Sequence, residues 1–147
     1  MPTKPPRRPK KPARKPSSRS SATKHVPTRG LSGWITHTDL ASSDPTATRA
    51  WCAKVLGWRF KPSFPTPAGE YHLFAYSNQG GGGIRHCNPP EVPCSLPYIH
   101  VADARAAFEM ALREGAETML PPERVMEGVT VAIVRAPGGV PIGFSGP

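Results

Sequence analysis

The stretch Ile35-Thr-His-Thr-Asp-Leu40 holds the side chains best suited to chemistry, with His37 and Asp39 two residues apart. In an extended strand that spacing places both on one face, opposite Thr36 and Thr38. A histidine beside a carboxylate has the composition of a general base, because an ordinary imidazole titrates at about 6.5. A structural reading stays open for each: His37 as a hydrogen-bonding neighbour, Asp39 as a stabiliser of the turn before Asp44. A second stretch, Leu96-Pro-Tyr-Ile-His-Val101, repeats the pattern, with Tyr98 and His100 on one face and Ile99 and Val101 on the other. Tyr98 and His100, together with the aromatic residues Trp58 and Phe74, are candidate ligand-binding residues. The alternatives are that Tyr98 is a half-buried wall residue and that Trp58, Phe60 and Phe74 are core. His72 and His86 could supply an unorthodox metal site together with His37, although strand alternation does not fix their positions.

Other motifs carry less. Gly80 to Gly83 is not followed by the Lys-Ser/Thr and helix of a phosphate loop, so it reads as a flexible hairpin entering a strand. Pro137-Gly138-Gly139 reads as a turn. Three cysteines, Cys52, Cys87 and Cys94, form no C-x-x-C pair. An odd number without an apolar leader argues for a reducing compartment and free thiols. Cys52 is expected to pack in a helix; Cys87 and Cys94 flank a proline-rich loop, where either could be exposed.

The elements that must position these residues follow from punctuation and period. Gly33 to Leu40 reads as a strand. Ser43-Asp44-Pro45 supplies a cap and a proline for the first helical turn. The helix from about Pro45 to Leu56 places Ala47, Ala50, Trp51 and Val55 at helical spacing, with Trp51 expected in the core, and stops at Gly57. Strand-like runs follow at Trp58 to Phe60, Tyr71 to Tyr76 and Gly82 to Cys87. The order then recurs: a strand at Leu96 to Val101, a helix from Ala104 to Glu114 with Ala107, Phe108, Ala111 and Leu112 on one face, and strands at Glu117 to Leu120, Val129 to Val134 and Pro141 to Phe144. A fixed order that repeats is a stronger fold signal than any one element. It predicts an α+β module, residues 31–147, of two βαβββ repeats with a cleft between curled sheets.

The chain of 147 residues has room for one such domain. Its formal charge of +9 is uneven: ten of the nineteen Lys and Arg precede Leu31, and all ten acidic residues follow it. Residues 1–30 therefore read as a disordered basic arm, rich in Pro, Lys and Arg, with little to bury. Such an arm can contact nucleic acid without reading its sequence, although it lacks aromatic side chains to stack bases. It can equally be a solubilising or targeting extension. No apolar run is long enough for a membrane span. These features together point to the cytoplasm, with association to a nucleoid or nucleus through the arm.

Taken in order, five stretches resemble the vicinal-oxygen-chelate superfamily, which includes glyoxalase I, bleomycin-resistance proteins and extradiol dioxygenases. They are Ile35-Thr-His-Thr-Asp-Leu40 with Asp44, Ala50-Trp-Cys-Ala-Lys-Val-Leu-Gly-Trp-Arg-Phe60, Gly82-Gly-Ile84, Tyr98-Ile-His-Val-Ala-Asp103 and Ala136-Pro-Gly-Gly-Val-Pro-Ile-Gly-Phe144. Within that superfamily the chain is similar to the uncharacterised branch related to lactoylglutathione lyase, and the likeness spans nearly everything after the arm. In the metal-using members, one ligand sits on the first strand of each half and one, usually Glu, on the last. His37 falls on the first of these positions, whereas Leu96 and Gly143 occupy the fifth-strand and last-strand positions and Gly80 to Arg85 offers no carboxylate. A divalent site needs about three or four converging donors. The resemblance thus implies a glyoxalase-like module that binds an unknown small molecule in the inter-repeat cleft without the standard metal, a divalent ion being the disfavoured alternative. If the chain is an enzyme, a lyase or related activity is implied, with His37 and Asp39 as catalytic candidates. The competing reading is a non-enzymatic accessory protein whose arm binds nucleic acid and whose module mediates dimerisation or protein contacts. A homodimer is compatible with both.

Overall fold

The computed structural model of the chain describes residues 31–78 and 80–147; the basic arm lies outside the described residues. The elements run β1 (Ile35–Ser42), α1 (Pro45–Leu56), β2 (Arg59–Phe60), β3 (Phe64–Thr66), β4 (Gly69–Ala75), β5 (Gly81–His86), β6 (Cys94–His100), α2 (Ala104–Arg113), β7 (Glu117–Met126), β8 (Val129–Arg135) and β9 (Pro141–Gly146). Eight strands form one open sheet in the order β2-β4-β5-β1-β6-β9-β8-β7, and β3 pairs with β4 beside it. At the centre β1 and β6 run antiparallel. Each has a parallel neighbour on its outer side, β5 for β1 and β9 for β6. The short strand β3 is an addition to the expected order, formed where Phe64 pairs with Tyr71. The glycines read as a hairpin entering a strand belong to the strand from Gly81 onward: Gly81, Gly82 and Gly83 pair with β1 on one side and β4 on the other.

Both helices begin with acidic caps. The Asp44 carboxylate accepts from the backbone N–H of Ala47, and Asp103 accepts from those of Arg105 and Ala106, satisfying donors that a first helical turn leaves free. Helix α1 ends at Gly57, whose φ of 67° is the left-handed conformation that glycine takes without strain.

Two apolar clusters lie on the helix side of the sheet. Cys52 of α1 joins Phe74 and Ile84, with Leu40, Trp58 and Phe60 packed around them; Phe108 of α2 joins Ala132 and Val134, with Ala111, Ala116 and Phe144. Cys52 packs as expected, but Ala47, Ala50, Trp51 and Val55 lie on the outer face of α1 rather than the inner one. Thr48 turns its hydroxyl onto Ser42 Oγ at 2.7 Å, Arg49 lies over the Phe60 ring, and Cys52 is buried. A residue one step along a helix is rotated by about 100°, so Trp51 is carried outward and is 56% exposed. The periodicity of α2 agrees with the structure at Phe108 and Ala111, while Leu112 stays at the surface. Among the described residues no helix is long and apolar enough to cross a membrane.

Candidate functional site

With the helices on one side, alternation along the strands delivers the opposite set of side chains to the other side, and there they surround a cavity of about 550 Å³. Its floor comes from the middle of the sheet: His37 and Asp39 of β1, Tyr71 and Leu73 of β4, Tyr98 of β6 and Ser145 of β9. Its walls are largely apolar, from Phe64 of β3, Val125 and Met126 of β7, and Val129 and Val131 of β8.

A line of hydrogen bonds crosses this floor. His37 Nε2 stands 2.9 Å from the Tyr71 hydroxyl, which donates to Asp39 Oδ1 at 3.0 Å. Arg85 Nε donates to Asp39 Oδ2 at 2.6 Å. The two terminal nitrogens of Arg85 close on Glu91 at 2.7 and 2.6 Å. Tyrosine has one hydroxyl proton. Since a carboxylate paired with a guanidinium can only accept, that proton goes to Asp39, and His37 Nε2 must donate to the Tyr71 oxygen. The imidazole is thereby assigned the tautomer that carries its proton on Nε2. Both Asp39 oxygens are thus occupied, so Asp39 orients Tyr71 and Arg85 rather than standing free as a base.

The electrostatics follow from this geometry. Burial pulls the His37 imidazole below its ordinary value of 6.5, against the opposing attraction of Asp39. Burial, then the charge and hydrogen bond of Asp39, raise the Tyr71 phenol. Tyr98 is pushed up to about 12, first by burial and then by Asp39. The Arg85 guanidinium is held protonated chiefly by its hydrogen bonds to Glu91, and Glu91 is held below the ordinary carboxylate range by Arg85. At neutral pH the cavity floor presents a neutral imidazole and two neutral phenols beside the Asp39 carboxylate.

Glycines make the floor possible. A Cβ built on Gly83 of β5 would fall within the Tyr71 ring, and one on Gly143 of β9 would fall against the Tyr98 ring. Each ring lies flat over a strand that has no side chain at that point. Tyr98 also meets His37 edge to face, with ring centroids 5.7 Å apart and planes at 76°.

Of the residues singled out in the sequence, His37, Asp39 and Tyr98 come together in this cavity. His100 does not line it; its backbone pairs with Gly33 and Trp34. Trp58 and Phe74 stack on each other on the helix side, with ring centroids 4.2 Å apart and planes at 13°. Tyr71, Arg85 and Glu91 were not singled out, and the only signal for the last two is an Arg and a Glu flanking a proline loop.

Among the described residues no three His, Cys, Asp or Glu side chains come together, and the position on β9 that would carry a last-strand ligand is Gly143, roofed by Tyr98. Asp39 already spends its oxygens on Tyr71 and Arg85.

No protein-family model matches the chain, and no curated protein matches it either. Solved structures do. A hypothetical protein from Bacillus halodurans is 12% identical, with a TM-score of 0.64 over 76% of this chain and 92% of that one. A methylmalonyl-CoA epimerase from Mycobacterium tuberculosis is 15% identical, with a TM-score of 0.64 over 86% of this chain and 95% of that one. A glyoxalase/bleomycin resistance protein/dioxygenase superfamily member from Vibrio splendidus is 18% identical, with a TM-score of 0.54 over 74% and 93%. At these identities the likeness is one of architecture, and it agrees with the order of strands and helices described above: the chain has the vicinal-oxygen-chelate fold.

Proposed function

We propose that the chain is a glyoxalase-like binding module, two βαβββ units side by side, that holds a small and largely apolar molecule in the cleft between them without a divalent metal. The observation that carries this reading is the cavity itself. About 550 Å³ of space is ordinary for a small-molecule site, as are apolar walls with a few polar groups at one end. Tyr98 supplies a hydroxyl that stays protonated at neutral pH and has no hydrogen bond from a described residue. His37 supplies a neutral ring whose second nitrogen can accept. A ligand with an apolar body and one polar head, such as a carbonyl or hydroxyl, matches that set. Binding, rather than turnover, is the function this geometry supports best, because Asp39 is committed to Arg85 and Tyr71 and cannot relay a proton to His37 directly.

The test is fluorescence titration of the full chain with N-phenyl-1-naphthylamine, an apolar probe that brightens when desolvated. Saturable binding that is lost in Val131→Trp, a change that fills the cavity, is the expected result. Absence of binding by the native chain, or binding untouched by Val131→Trp and by Leu73→Trp, would refute the reading. The metal-independent part is checked by elemental analysis of the purified protein. A stoichiometric divalent metal that disappears in His37→Ala would overturn it.

A further inference from the structure

The apolar chamber does not end at His37. A second depression of about 520 Å³ adjoins it, and the two have His37 and Leu73 in common. The far side of this second space is different in kind. Arg59 and Lys61 line it, with Ser77, Asn78 and the glycine-rich start of β5 opposite. None of its lining residues among those described is acidic, and the two ion pairs of the described residues are both made by Arg85, leaving Arg59 and Lys61 without acidic partners.

The placement of the two cations is set by the edge of the sheet. Arg59 pairs with Ala75 and Phe60 with Phe74, and the Lys61 backbone N–H continues the ladder to the Leu73 carbonyl at 3.0 Å. Phe60 and Phe74 pack into the helix-side cluster and also border this depression, and alternation about Phe60 puts Arg59 and Lys61 on the same side as Leu73. Two residues apart on an extended segment, their Cβ atoms are about 7 Å from one another. That separation lets both heads reach a single carboxylate, sulfonate or phosphate. The chamber has the opposite character: among the described residues that line it, Asp39 is the charged one and none is Lys or Arg, and so it repels an anion.

We propose that the cleft is a two-part site for an elongated ligand with an anionic group at one end of an apolar body. The anion rests on Arg59 and Lys61, and the body passes His37 and Leu73 into the chamber. This deepens the binding function proposed above and rests on it. The charge distribution also fixes the orientation, because the reversed ligand would bring its anion against Asp39.

The experiment compares two probes with one ring skeleton, neutral N-phenyl-1-naphthylamine and its sulfonate, 1-anilinonaphthalene-8-sulfonate, on the full chain at low salt. The sulfonate is expected to bind roughly tenfold tighter, the preference two exposed charge contacts supply. In Arg59→Gln/Lys61→Gln the two probes come to parity while the neutral one binds as before, and added salt erodes the preference in the native chain. If the neutral probe binds and the sulfonate binds no better, or the double variant keeps the full preference, the cationic shelf is refuted and the apolar chamber stands. If neither probe binds, the chamber reading fails and the two-part site with it.

Discussion

The Tyr71 ring occupies the space that a side chain at Gly83 would need, so that its hydroxyl can bridge His37 and Asp39. Replacing Gly83 with Ala forces the ring or the strand to move. Overpacking of this kind costs about 1–3 kcal/mol, measurable as a lower urea midpoint. The same change in a Tyr71→Ala background is expected to cost much less, because the obstructing ring is gone. Equal costs in the two backgrounds would show that the glycine answers to the backbone and not to Tyr71.

Arg85 stands between two carboxylates that differ in burial. Asp39 is 8% exposed at its side chain and Glu91 is 31% exposed. Asp39→Ala strands a partly buried guanidinium and leaves Tyr71 without its acceptor, at a cost of about 3 kcal/mol. Glu91→Gln keeps the shape and loses a solvent-screened pair, at a cost of about 1 kcal/mol. Chemical denaturation of the two variants should rank them in that order. Arg85 holds Glu91 below its ordinary 4.5, so this pair contributes stability that is present above pH 4.5 and lost as pH falls through the folded value. The acid limb of the stability profile should accordingly be shallower in Glu91→Gln.

Much of this arrangement was legible in the sequence, and the illegible part has a physical pattern. Strand alternation within one segment brought His37 and Asp39 to one face, and the recurrence of element order brought Tyr98 opposite them. Tyr71 and Arg85 escaped because they reach Asp39 from 32 and 46 residues away, through the registers of β4 on β5 and β5 on β1, which no local pattern fixes. Phe74 and Trp58 stayed open between core and cleft wall for a related reason. A one-residue change of strand phase exchanges the two faces of a sheet, and aromatic side chains suit a core as well as a cleft. Arg59 and Lys61 gave no sign beyond ordinary surface charge until the edge ladder turned them toward the cavity.

Trp51 gives the same point an energetic test. Large aromatic residues in helices are commonly core, and spacing with Ala47 and Val55 invited that reading. The structure leaves the side chain 56% exposed, whereas Phe108 of α2 is 8% exposed. Trp51→Lys should shift stability by no more than about 0.5 kcal/mol. Phe108→Ala should cost about 3–5 kcal/mol. A large loss in Trp51→Lys would mean that the outer face of α1 is covered in solution, and concentration-dependent unfolding would then identify the cover as another copy of the chain.

His37 is the group whose protonation should be felt as pH falls below 6.5. Burial lowers its folded pKa beneath 6.5, so as pH falls below 6.5 the unfolded chain takes up a proton that the folded chain still refuses. The unfolded state is favoured over that interval, and stability declines with falling pH until the folded imidazole also titrates. Protonation does not break the bond from Nε2 to Tyr71, because that nitrogen is already the donor. What changes is the other nitrogen, which turns from acceptor to donor and places a positive charge beneath an apolar cavity. Urea midpoints of the native chain and His37→Gln, taken at pH 7.5 and 5.5, are expected to converge at the lower pH. The neutral naphthylamine probe should bind more weakly to the native chain there and show no such change in the variant. A native chain that gained stability relative to His37→Gln on acidification would mean that the pull of Asp39 outweighs burial, and that His37 enters the cleft as a cation.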